Sequence, residues 1–258
     1  MRTWRERRRL TQLELAVGAG TSTRHLSFVE TGKAKPGREV LLRVADHLDL
    51  PLRERNELLL AAGYAPPYPR RDLEDAALEP VRAALTRILA AHEPFPAMVL
   101  DRGWNVVRAN SGFLDMGRWV DEDLLEPPAN ALRLGLHPRG LAPFTVNLAE
   151  VRAVFLERLR RQVAITADTD LAALLREVSA YPAPVTEPLE TRAASAAEIF
   201  TPLLLRPPDG PELSFLGTVA TFGFAGEVTS SELTIESLFP ADAATREALQ
   251  ARGPTPFG

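Results

Sequence analysis

Four side chains on one short segment have the types and spacing to read DNA. Between Thr21 and Glu30, Leu26 and Val29 fall three apart and face inward, which leaves Thr23, Arg24, Ser27 and Phe28 on the outer face. Arginine can address guanine O6 and N7 together, so Arg24 is the best suited of the four to base recognition, while Phe28 either touches a thymine methyl or packs back on its own domain. A second constellation is Arg133 and His137, four residues apart and therefore on one face of a helix. Arg133 could hold a carboxylate by two parallel hydrogen bonds, with Asn110 or Asn130 donating to the same group. The alternative is that Arg133 and His137 make structural bonds within their domain. Apolar walls for such a site would come from Trp104, Phe113, Phe155, Phe215 and Phe222, each equally suited to plain core.

Catalysis is not expected. His25, His47, His92 and His137 are scattered, with no HExxH, GxSxG or Walker A pattern, and Gly217–Gly226 lacks GxGxxG spacing. The pairs Asp121/Asp123 and Asp168/Asp170 read as surface charges flanking helices. Cysteine is absent, which excludes disulfides and thiolate metal sites and fits a reducing cytoplasm. No metal or cofactor is implied. No apolar core follows the charges of MRTWRERRRL, so a secretory leader is not expected, and no apolar run approaches the roughly 20 residues of a membrane span.

Charge is divided along the chain. Residues 1–71 hold 14 Lys/Arg against 8 Asp/Glu, or +6, and residues 72–258 hold 16 against 26, or −10, giving the net −4. The basic excess lies where the DNA-reading residues are, as attraction to phosphate requires.

The elements that must position these groups follow in order. Residues 2–9 are a short basic helix with Trp4 as its core contact. Thr11 caps the next helix, with Glu14 at capping-box spacing, and Gly18–Ala19–Gly20 allows a sharp turn. Thr21 or Ser22 caps the reading helix. Arg38–Leu48 and about Leu52–Ala62 continue the helical pattern, completing a domain over residues 1–63. Residues 64–72, with three prolines in YAPPYPRR, read as a semi-rigid spacer. Residues 73–258 form the second domain: a bridging helix over 73–91, then a core over 93–251. That core opens with a hairpin, Phe95–Leu100 and Trp104–Ala109. Helices follow near Ser111, at Asn130–Leu136, Asn147–Thr166 and Leu171–Ser179. On the longest of them Leu148, Val151, Val154, Phe155, Leu159 and Val163 face inward, and Arg158, Arg160 and Arg161 form a solvated face. Proline-rich Tyr181–Pro188 crosses to strands at Ile199–Arg206, Glu212–Phe224 and Leu233–Phe239, and Asp242–Ala251 ends as a helix. Two strands, several helices and three strands describe an α+β domain with a five-stranded, mostly antiparallel sheet.

TQLELA, the glycine turn and STRHLSFVETGKAKP resemble the Cro/CI-type (XRE) helix-turn-helix, a lambda-repressor-like all-α domain. The resemblance implies that Gln12 braces the phosphate backbone, that Ser22, Thr23, Arg24, Ser27 and Phe28 face the DNA, and that Lys33, Lys35 and Arg38 lie along the backbone. The one departure is at the front, where the family's first helix is usually longer. VLDRGWNVVRAN, NALRLGLHPRGLAP, NLAEVR and IESLFPADAATREAL resemble the MmyB-like ligand-binding domain, a PAS-like fold that in its family follows the same helix-turn-helix and the same AAGYAPPYP linker. What that resemblance implies is a cytoplasmic transcription regulator whose partners are double-stranded DNA and a small apolar ligand, a fatty acid being the expected effector. A single helix-turn-helix makes few contacts, so a homodimer on an inverted repeat is expected. The competing expectation is a DNA-anchored interaction module whose PAS-like domain binds a protein partner and no small molecule.

Overall fold

The computed structural model describes residues 1–182, 201–208, 210–223 and 226–252. Cα packing divides the chain into two units. One is Met1–Asp72 with Ala164–Thr166 and Gly223–Ser231; the other is the remainder from Leu73 on.

The first unit holds five short helices: α1 (Arg2–Arg7), α2 (Gln12–Gly18), α3 (Thr23–Glu30), α4 (Arg38–His47) and α5 (Leu52–Ala61). The Thr11 hydroxyl accepts from the Glu14 amide while the Glu14 carboxylate accepts from the Thr11 amide, so the capping box fixes where α2 begins. Gly20 turns the chain at φ +61°, and Ser22, not Thr21, caps α3 through the His25 amide. Leu15, Ala16, Leu26, Val44, Ala45 and Leu48 form the core, with Trp4 packed against it. A Cβ on Gly18 would fall 2.2 Å from the exposed His47 ring, so the ring packs directly over the bare Gly18 backbone where α2 meets α4. Leu13 and Val17 lie on the outer side of α2, 61% and 71% exposed.

A polar cluster ties this unit together. Arg5 donates to both oxygens of Glu30, at 2.8 and 2.9 Å, and the Gln12 amide donates to Glu30 at 2.8 Å. Burial pushes the Glu30 carboxyl up, but the bonds from Arg5 and Gln12 and the Arg5 charge outweigh it and hold the group below its ordinary value. Residues 64–72, read from sequence as a spacer, are bound into the unit. Asn56 exchanges two hydrogen bonds with the Tyr68 backbone, and the Tyr64 hydroxyl donates to the Pro36 carbonyl. The buried Glu227 carboxylate accepts from the amides of Arg71, Thr229 and Ser230.

The second unit begins with α6 (Glu79–Ala91), where a longer helix from 73 was expected; a single 3₁₀ turn at Ala76–Leu78 precedes it. A hairpin of β1 (Ala97–Leu100) and β2 (Val106–Ala109) follows, then α7 (Ser111–Leu114), α8 (Glu122–Leu125), α9 (Ala131–Leu136), α10 (Leu148–Thr166) and α11 (Thr169–Ala180). The strands β3 (Leu203–Leu205), β4 (Leu213–Thr221) and β5 (Thr234–Pro240) and the helix α13 (Ala243–Arg252) follow, while the short α12 (Val228–Ser231), which was not foreseen, falls in the first unit. The α+β, PAS-like expectation holds: all five strands join one antiparallel sheet in the order β2-β1-β5-β4-β3. The expected strand start at Ile199 and the crossing after Pro182 lie outside the described residues.

Alternation along the strands gives the sheet two apolar faces. Ala97, Val99 and Ile235 pack against Leu85 and Leu89 of α6. Met98 and Leu100 turn the other way, toward Trp104, Leu132, Leu156 and Leu159. Met98 pairs with Glu236, which in turn pairs with Val219 on β4, so Glu236 sits mid-sheet on that second face. β2 begins at Val106 and not at Trp104 because Trp104 has φ +67°, a left-handed backbone outside the strand region.

Two outcomes follow. Gly112 lies where a Cβ would fall 2.4 Å from the Pro94 carbonyl oxygen, whereas nothing surrounds Gly223 within 4 Å. Gly112→Ala should therefore lose about 1–3 kcal/mol in denaturant melts, and Gly223→Ala should be near neutral; equal midpoints would contradict the packing. In the first unit, removing one partner of the buried Arg5–Glu30 pair by Glu30→Gln should lose about 3–5 kcal/mol at neutral pH. Because Glu30 is more acidic folded than unfolded, its contribution is complete above the unfolded pKa and fades as pH falls through the folded one. Wild type and variant should thus converge in acid, and a gap independent of pH would refute the assignment.

Candidate functional site

The reading helix α3 presents Arg24 and Phe28 together on its outer side. The Arg24 guanidinium lies 5.5 Å from the Phe28 ring centroid, and Phe28 is 37% exposed. Of the two expectations for Phe28, the exposed one describes its position: the ring flanks the arginine and does not enter the core. Ser22 spends its hydroxyl as the α3 cap, Thr23 opens the helix and the Ser27 carbonyl accepts from the Thr31 hydroxyl. Lys33, Lys35 and Arg38 are exposed, with Lys35 Nζ 5.0 Å from the Tyr64 ring centroid. Gln12 opens α2, as the phosphate-bracing role requires, but its amide also donates to Glu30.

The second unit contains two adjoining cavities on the α9–α10 side of the sheet. The first, about 70 Å³, is walled by residues including Met98, Trp104, Phe113, Leu132, Phe155 and Leu205. The second, about 140 Å³, adds Val154, Arg158, Thr201, Gly217, Thr218 and Val219. They share Val151, Phe155, Leu203, Glu236 and Leu238 in their walls. One water needs roughly 10–15 Å³ of such space and several polar partners, so mostly apolar cavities of this size are suited to an apolar guest and not to a structural water.

Trp104, Phe113 and Phe155 thus line the cavity, and the polar anchors expected from sequence do not. Arg133 is bound side-on to Glu177 by two 2.8 Å bonds, and that carboxylate also accepts from the Tyr181 hydroxyl at 2.6 Å. The Arg133 bonds hold Glu177 below the ordinary carboxylate range, while burial and the bond to Glu177 push the Tyr181 hydroxyl up to about 12. His137 ends α9; its Nδ1 accepts from the Arg139 amide and its ring stands edge-on to Tyr181, 4.9 Å between centroids. Asn110 caps α7 and accepts from the Ala97 amide. Asn130 caps α9 and donates to the Gly103 carbonyl. All four are engaged in holding backbone or each other's elements. Phe222 packs with Leu85, Leu89 and Val99 on the opposite face of the sheet, and Phe215 belongs to the core around Leu205, Leu213 and Leu249.

The cavity's charged groups are two that sequence reasoning passed over. Arg158 was placed on a solvated face, yet it donates to Glu236 at 2.7 Å, and its guanidinium lies 4.6 Å from the Trp104 ring centroid. The signal was present: Val151, Phe155 and Arg158 follow 4-then-3 spacing and therefore share one stripe of α10. Trp104 is held rigidly. Asp101 accepts from the amides of Gly103 and Asn105, the Trp104 carbonyl accepts from Ala131, and Nε1–H donates to Gln162 at 2.7 Å. A left-handed tryptophan costs about 1–3 kcal/mol and persists where surrounding bonds over-determine it.

Two family models agree with this layout. A helix-turn-helix family model matches residues 1–55, and the model for the MmyB-like transcription regulator ligand binding domain matches residues 81–251. No curated protein matches the chain at a significant level. Among solved structures, one described as an RNA-binding light-oxygen-voltage receptor aligns at 15% identity with a TM-score of 0.30, over 96% of this chain and 60% of that one. The chain thus spans about 60% of that receptor's length. Because the ligand-binding-domain model covers well over half of the 258 residues, the chain belongs to the MmyB-like transcription regulators and carries a helix-turn-helix ahead of its ligand-binding domain.

Proposed function

We propose that this regulator binds a fatty acid in the paired cavities beside α10 and acts as a cytoplasmic homodimer on an inverted repeat in double-stranded DNA, with no catalytic step. The observation that carries the ligand reading is the cavity itself. Its walls are mostly aliphatic and aromatic, and its charged side chains, Arg158 and Glu236, lie together on one side of the space. An elongated apolar chain with one polar end matches that distribution. A partner-binding module without a small molecule would have no need of such space, so the cavities favour the sensor. The homodimer follows from the few contacts a single helix-turn-helix makes. Among the described residues no helix is long and apolar enough to cross a membrane.

Native mass spectrometry of the purified protein, followed by denaturing extraction and lipid analysis, tests the ligand. The expected result is a bound species of fatty-acid mass that is lost on extraction. An apo mass unchanged after incubation with fatty acids would overturn the reading in favour of the partner module. On the DNA side, Arg24→Ala should weaken binding to a selected operator by about 1–3 kcal/mol and leave binding to scrambled DNA nearly unchanged. Lys35→Ala should weaken both alike and lower the salt slope by about one. Anisotropy titrations at several salt concentrations separate the two, and a uniform loss for Arg24→Ala would remove it from base recognition.

A further inference from the structure

The Arg158–Glu236 pair is an unusual thing to build into an apolar wall. Glu236 lies mid-strand on β5, its side chain only 10% exposed, and faces both cavities. A carboxylate in such a place is tolerated because a cation meets it. Arg158 is the less buried partner at 33%, and it borders only the larger cavity. The guanidinium carries five donors in a planar fork that fits a carboxylate by two bonds at once. Behind it stands the Trp104 face, whose own position is set by Gln162 and by the left-handed turn. The cation would therefore keep its place if Glu236 let go of it.

Resting on the apolar-ligand reading above, we propose that Arg158 is the head-group site of the cavity and that Glu236 is a built-in competitor for it. A ligand with a carboxylate end takes the Arg158 fork and displaces the Glu236 carboxylate from it. The competitor makes the site selective in two ways. A neutral amphiphile has no charge with which to replace Glu236 on Arg158. An anionic one must displace the internal carboxylate, so Glu236 raises the concentration at which it binds above what the apolar walls and Arg158 alone would set. Arg133, already bound side-on to Glu177 outside these walls, is not the anchor.

The test uses the full chain, stripped of lipid, titrated by calorimetry with dodecanoate and with dodecanol. Like-charge juxtaposition is expensive in a desolvated site, so Glu236→Gln should tighten dodecanoate about tenfold or more. Arg158→Met should weaken it by a similar factor, and Arg158→Lys, which keeps charge but loses the fork, should fall between. Dodecanol should change less than about threefold in every variant, a difference of well under 1.4 kcal/mol. Thermal melts confirm that each variant is folded, and Glu236→Gln together with Arg158→Lys decide the matter if Arg158→Met does not fold. Dodecanoate binding that is unchanged or weakened in Glu236→Gln, or dodecanol responding as strongly as dodecanoate, would overturn the head-group assignment while leaving an apolar ligand in place. If wild type binds neither compound, the ligand reading itself fails and this inference with it.

Discussion

Room left between α10 and one face of the sheet is the constraint on which the second unit depends. Apolar side chains on strands and helices normally close on one another to near-crystalline density. Here Val151 and Phe155 on one side and Leu203, Leu238 and the bare backbone of Gly217 on the other leave cavities of about 70 and 140 Å³. Keeping such space open requires rigid surroundings, since a pliable core would collapse into it. The rigidity comes from the β1–β2 turn, where Asp101 and Asn130 clamp the backbone on either side of Trp104. It also comes from α6 and its Leu85 and Leu89, which fill the opposite face so that the sheet cannot shift across. The Arg158–Glu236 pair then supplies polarity at one place in an otherwise apolar wall.

The first unit solves a different problem, presenting a small basic surface from helices too short to be stable alone. Its answer is a dense set of local caps together with buried carboxylates, of which Glu30 is central. Thr11, Ser22 and Glu14 satisfy helix ends, and Glu30 gathers Arg5 of α1 and Gln12 of α2 at the end of the reading helix. Gln12 thereby joins the interior of the unit to the face expected to meet phosphate. The spacer residues join the same unit through Asn56 and Glu227, so proline content here accompanies fixed backbone and not a tether.

Much of this was legible because it is written in local chemistry. The capping box, the glycine turn and the three-residue spacing of Leu26 and Val29 need only near neighbours. The alternation that produces five strands is likewise local, and the family resemblance identified both domains. The ligand anchor was not legible, for a physical reason. Arg133 and His137 are close in sequence and look like a pair, but Glu177 and Tyr181, distant in sequence, take up their bonding capacity. Arg158 stands beside Arg160 and Arg161 and reads as part of a solvated run, yet the helical turn rotates it alone onto the stripe of Val151 and Phe155. Its partner Glu236 reads as an ordinary polar residue between Ile235 and Ser237 until the sheet register places it against α10. Trp104 looked like a strand residue by composition, and only the Asp101 turn shows why it takes a left-handed backbone.

The most direct measurement is a crystal structure of the full chain with tetradecanoate. The account predicts the alkyl chain between Trp104, Phe155 and Leu238, with the carboxylate on the Arg158 fork and Glu236 turned away from it. A fatty acid seated outside these cavities, or bound within them while Arg158 still holds Glu236, would contradict it.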